Sequence, residues 1–125
     1  MKKLFFLLLL VAACSDKKTE VSENTILAPS EFITKYNETE GAILLDVRTE
    51  EEVSAGAIPG EMNIVYDDAF ATKLSDLEQK PIFVYCGSGI RSAKAAKILR
   101  DKGFSPVYEM DGGMKSWKAA GSPVK

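Results

Sequence analysis

The stretch "IFVYCGSGIRSAKAAKILRDKG", from Ile82 to Gly103, constrains the fold more than any other part of the chain. Its first four residues are apolar without alternation and follow Pro81. A strand of that kind is buried on both faces, as happens in parallel sheets covered by helices on either side. After a small glycine-spaced loop, Ala95, Ala96 and Leu99 share one helical face, Ile98 adjoins it, and Gly103 supplies a stop. A parallel strand reaches its neighbour only through a crossover, so the chain should repeat the unit.

It does. "AILLDV" is another short apolar run. "TEEE" reads as a capping box, with Thr49 as N-cap and Glu52 three residues later, opening a short helix that stops near Gly56. "TIL" reads as a short edge strand, and Ser30 as the cap of a helix over 31–36. "NIV" is expected to be a strand, "DAFATKLSDL" a helix, and "PVY" the last strand. "DGG" at 111–113 is expected to turn at the rim. "MKSWKAA" then forms a final helix, with Trp117 in the core. The expectation is an α/β domain, a parallel sheet with helices on both faces. In such sheets ligands sit beyond the carboxyl ends of strands, and Cys86 stands at one.

The 125 residues suffice for one domain. A net charge of -2 leaves no basic footprint for nucleic acid. The absence of histidine removes cysteine–histidine nucleophile pairs, histidine metal sites and imidazole acid–base chemistry together.

The N-terminus reads differently. "MKKLFFLLLLVAAC" has two lysines, an apolar run too short to span a bilayer comfortably, and small residues before Cys14. This order resembles the lipobox of bacterial lipoproteins, in which the cysteine is lipid-modified. The expected division is a signal peptide at 1–13, a lipidated tether at 14–24 and a folded domain at 25–125. The expected location is the bacterial cell envelope, lipid-anchored and extracytoplasmic. With Cys14 lipidated, Cys86 is the sole free thiol, and an unpaired cysteine in an exported chain is a candidate reactive group.

Cys86 opens a loop whose glycines, Gly87 and Gly89, permit unusual dihedrals and close approach. Successive N–H groups, the start of a helix and the charge of Arg91 all favour a thiolate, so its pKa should be depressed.

The motifs "LLDVRTEEE", "GAIPG", "VYCGSGIRSAKAAKILRDKGF" and "VYEMDGGMKSWKAAGSPV", in that order, resemble a single-domain rhodanese over roughly 26–124. The resemblance implies a five-stranded parallel sheet and a Cys86 that accepts a sulfane sulfur as a persulfide. It implies that the backbone of Gly87, Ser88, Gly89, Ile90 and Arg91 cradles that sulfur. Phosphatases sharing this fold place five residues between cysteine and arginine, whereas four separate Cys86 from Arg91. The shorter ring suits one sulfur atom rather than a phosphoryl group.

Asp46 and Arg48 match the family's "DVR" element, and Asp46 is expected to orient the loop or Arg91. For Arg48 an ion pair with Glu51 or Glu52 is expected. The family often has histidine where Ala57 stands, and the loop lacks an extra basic residue found in some thiosulfate-using members. The resulting reading is a membrane-anchored sulfurtransferase working by ping-pong covalent catalysis. It passes sulfur from a donor such as thiosulfate to a thiol or cyanide, as a monomer, with no metal or organic cofactor. The alternative is a sulfur carrier or partner-binding module with little turnover.

Overall fold

The computed structural model describes residues 24–125, so the expected signal peptide, Cys14 and the expected tether up to residue 23 lie outside the described residues. Strands and helices alternate: β1 (Ile26–Leu27), α1 (Pro29–Glu38), β2 (Ile43–Asp46), α2 (Glu50–Ser54), β3 (Met62–Asn63), α3 (Phe70–Lys73), β4 (Ile82–Tyr85), α4 (Ile90–Asp101), β5 (Val107–Met110) and α5 (Gly113–Ala119). The strands form one parallel sheet in the order β1-β5-β4-β2-β3. β4 is therefore central, and β1 is an edge strand as expected from "TIL".

The unalternated runs are explained by what covers each face. Leu45, Val47, Ile82 and Val84 pack with Phe70 of α3 and with Ala95, Ala96 and Leu99 of α4. Leu44, Phe83 and Tyr85 point the other way and pack with Phe32 of α1 and Trp117 of α5. Successive residues of a strand face opposite sides, so both sides must be apolar. Phe83 is the centre of the second face, edge-on to Phe32 and Tyr36 and stacked on Tyr108 at a 4.9 Å centroid distance.

Several boundaries differ from the sequence reading. Ser30 is not a cap: Pro29 opens α1, Ala28 is its N-cap, and no side chain caps it. Proline's fixed φ and missing N–H suit the first helical position, which displaces the start. Strand β3 is Met62–Asn63 rather than "NIV". The expected ten-residue helix at 68–77 is one turn, Phe70–Lys73. Phe70 and Leu74 are buried there, while Ser75 turns its hydroxyl back to the Thr72 carbonyl at 3.1 Å. Such local side-chain bonds compete with helix propagation.

Candidate active site

β4 delivers Cys86 to the carboxyl edge of the sheet at its centre, and α4 begins four residues later. Gly89 makes that sharp entry possible: it is the N-cap of α4 at φ 100°, left-handed backbone that favours glycine. Its N–H then donates to Cys86 Sγ at 3.0 Å. Ser92 Oγ lies 3.4 Å from the same sulfur. Cys86 is wholly buried. Burial is the largest single influence on its thiol and acts to raise the pKa. The Ser92 hydroxyl and the amides of Ser92, Ser88 and Gly89 outweigh it, so the thiol is held below its ordinary value.

Ser92 was missed by the sequence reading, although the signal was present. It stands three and four residues before Ala95 and Ala96, on the face already assigned to the core, and it is fully buried. A hydroxyl on a buried helical face needs a partner, and the cysteine sulfur is the one it has.

Arg91 points elsewhere. Its Nη1 and Nη2 donate to Glu52 Oε1 at 2.6 Å and Oε2 at 3.0 Å. Glu52 is the capping-box residue of α2, and its Oε1 also accepts from the Thr49 N–H and hydroxyl. The Arg91 hydrogen bonds hold the Glu52 carboxyl down at about 2. The guanidinium feels the charge of Cys86, but its donors are engaged by Glu52.

Asp46 and Arg48 make no hydrogen bond to Arg91, although the Asp46 charge acts on its guanidinium. Arg48 pairs with Asp46 through Nε and Nη2, not with the side chain of Glu51 or Glu52 as expected. Both are buried beneath α2, where Arg48 also donates to the carbonyls of Glu52 and Gly56. Carbonyls at the end of a helix lack intrahelical donors, and Arg48 supplies them here. Asn63 completes the exit of β2, donating to the Asp46 and Arg48 carbonyls at 2.9 and 3.0 Å. Tyr85 accepts from the Ile58 N–H at 3.2 Å; burial and a hydrogen bond with Asp46 push its phenol upward, so it stays neutral. The pair thus sets where α2 lies, and α2 carries Glu52 to Arg91.

The "DGG" turn does more than edge the rim. It docks the first turn of α5 on the cysteine loop, where the N–H groups of Met114 and Lys115 donate to the carbonyls of Cys86 and Gly87 at 2.8 and 3.0 Å. The contact is so close that a Cβ on Gly113 would lie 2.4 Å from the Cys86 oxygen. Tying two loop carbonyls to α5 fixes the peptide planes, and so the side on which the loop's N–H groups converge. Trp117 is buried, as expected, with Nε1 donating to the Pro123 carbonyl at 2.9 Å.

Fold and site together define a parallel α/β domain that presents one cysteine, in an amide-lined loop, at the carboxyl end of its central strand. The family model of the rhodanese-like domain matches residues 28–120, and the chain belongs to that family. It is similar to the thiosulfate sulfurtransferase GlpE of Pseudomonas putida, at 35% identity over 92 residues that span 73% of this chain and 83% of that protein. Among solved structures it resembles a rhodanese-related protein from Thermoplasma volcanium, with a TM-score of 0.66 and 28% identity, covering 80% of this chain and 96% of that one. It also resembles a protein of unknown function from Rhodopseudomonas palustris, described as a possible tyrosine phosphatase. There the TM-score is 0.70 at 27% identity, covering 83% of this chain and 86% of the other.

Proposed function

We propose that this chain is a sulfurtransferase that carries a sulfane sulfur on Cys86. The observation that carries the reading is the Gly89 N–H aimed at Cys86 Sγ from 3.0 Å, inside a loop with four residues between cysteine and arginine. Amides at contact distance stabilise a thiolate, and after transfer they are placed to stabilise the charge of a persulfide. The same small ring disfavours a phosphatase reading of this chain, because a phosphoryl group needs a wider cradle. The family and the name of the Pseudomonas putida relative support sulfur transfer.

In the first half-reaction the Cys86 thiolate attacks the outer sulfur of thiosulfate. A new S–S bond forms, the old one breaks, and its electron pair leaves with sulfite. In the second, cyanide or an acceptor thiolate attacks the outer sulfur of the persulfide, and the Cys86 thiolate is the leaving group. Charge balances in each step, and no proton or external electron is needed. Cys86 is the proposed nucleophile, with Gly87, Ser88, Gly89 and Ile90 forming the cradle and Ser92 joining it, while Arg91 acts on the sulfur through its charge and not through a hydrogen bond.

Thiocyanate formation from thiosulfate and cyanide tests the proposal. Purified protein should turn over, and Cys86→Ser should not. Burst formation of persulfide without steady turnover would favour the carrier reading, and wild-type turnover by Cys86→Ser would remove the nucleophile assignment.

The sequence of the N-terminus extends the proposal to a lipid-anchored, extracytoplasmic location in the bacterial cell envelope, through Cys14. Full-length protein should incorporate labelled fatty acid and partition into detergent. Unchanged labelling of Cys14→Ala would remove the anchor.

A further inference from the structure

The ion pair over the cysteine loop has an unusual placement for a surface contact. A Cβ on Gly87 would lie 3.0 Å from Arg91 Nη2 and 3.5 Å from Glu52 Oε2, so the pair sits against the second residue of the loop. It is bidentate, and about a third of each side chain is exposed. Glu52 is no wandering carboxylate, because its Oε1 is also held by the Thr49 N–H and hydroxyl. With the carboxyl held at about 2, it is ionised throughout the neutral range. Arg91 is the only cation in the segment from Cys86 to Arg91. Lys115, exposed in the first turn of α5, is a further cation at this edge.

We propose that Glu52 is a specificity-determining residue that sets the charge class of the sulfur donor. By engaging both outer nitrogens of Arg91 it cancels the loop's own cation. The site then selects sulfane donors that arrive and leave as single anions, such as organic persulfides or thiosulfonates, over doubly charged thiosulfate. This inference rests on the sulfurtransferase reading and deepens it.

The physical argument is one of charge. The loop amides are matched to the one negative charge of the transferred sulfur. A donor with a second charge must place it near the mouth, where Glu52 offsets the attraction that Arg91 would otherwise exert on it. In both cases the Cys86 thiolate forms an S–S bond to the sulfane sulfur, and the donor's bond breaks with its electron pair. From thiosulfate the departing group is the sulfite dianion. From a thiosulfonate it is a singly charged sulfinate, and from a persulfide a singly charged thiolate.

The test compares thiosulfate with benzenethiosulfonate, a dianion and a monoanion that load the same persulfide. The second-order rate of Cys86 persulfide formation is followed by intact mass spectrometry. Glu52→Gln removes the charge but keeps an oxygen for the capping box, so α2 should persist. It should raise the thiosulfate-to-benzenethiosulfonate rate ratio by about tenfold, the scale of one unit charge in a part-solvated site. Thiosulfate loading of Glu52→Gln should also fall more steeply with added salt than in the wild type, as Arg91 is freed to attract a dianion. Glu52→Ala carries the same expectation should the first variant fold poorly. Glu51→Gln removes a neighbouring exposed charge that does not pair with Arg91, and should shift the ratio far less. Loading by both donors with a ratio and salt response unchanged in folded Glu52 variants would overturn the donor-charge inference alone. No loading of wild-type Cys86 by either donor would overturn the sulfurtransferase reading and this inference with it.

Discussion

Cys86 Sγ is surrounded by groups that the adjoining loop and the first turn of α4 supply, and their ranking is testable. Ser92 Oγ and the Gly89 amide lie 3.4 and 3.0 Å from the sulfur, whereas the donors of Arg91 are spent on Glu52. Ser92→Ala should therefore raise the thiol pKa more than Arg91→Ala does, because loss of a contact donor outweighs loss of a partly screened charge. The pH dependence of iodoacetamide alkylation reads this directly. A folded Ser92→Ala should have its alkylation midpoint at higher pH than a folded Arg91→Ala, and the reverse order would show that the charge dominates. Of the residues at this site, Cys86 and the two glycines were legible from chain order alone. The partner of Arg91 was not, since Glu52 lies 39 residues away and its role as a capping residue already accounted for it.

At the scale of elements, two helices hold the loop. Helix α2 does so through Glu52, and the link is pH-sensitive. The Glu52 carboxyl is depressed from 4.5 to about 2 in the folded chain, chiefly by Arg91. A depressed carboxyl stabilises the fold above its unfolded pKa, and that contribution is lost as pH falls from about 4.5 toward 2. Both partners are about a third exposed, so after solvent screening the contribution is below about 1 kcal/mol. Urea unfolding of the wild type and Glu52→Gln should therefore differ near neutral pH and converge toward pH 2; a constant difference would deny the linkage.

Helix α5 holds it as well, through its amides on the Cys86 and Gly87 carbonyls. Gly113 has φ 58° and no room for a Cβ against that backbone. Gly113→Ala should cost about 1–3 kcal/mol through overpacking and an unfavourable dihedral. It should also lower the sulfur-transfer rate, and a variant with wild-type stability and rate would show that the docking is dispensable. The capping box at Thr49 was legible in four letters, and its geometry is as read. The docking of α5 was not, because it depends on where β5 and the turn after it place two amides in space.

For the whole molecule, the legible part was what repeats. Short apolar runs alternating with helical patterns specify a parallel sheet, because only burial on both faces explains Leu44 beside Leu45 and Phe83 beside Val84. The illegible part was where tertiary packing overrules local pattern, as in the expected helix at 68–77 that forms only Phe70–Lys73. Phe83 shows how much the central strand matters. It is fully buried among Phe32, Tyr36 and Tyr108. Phe83→Ala should cost about 3–5 kcal/mol in chemical denaturation, a large part of the stability of a small domain. A loss under 1 kcal/mol would mean that the aromatic face is not the core it is described to be.

The central claim is that Cys86 is the sulfur carrier, and intact mass spectrometry of purified protein tests it most directly. After incubation with thiosulfate or benzenethiosulfonate, the chain should gain one sulfur, located on the peptide containing Cys86 and removed by cyanide with release of thiocyanate. Cys86→Ser, with a circular dichroism spectrum like that of the wild type, should gain none. Absence of the added sulfur from wild-type protein with both donors, or its presence on Cys86→Ser, would contradict the account.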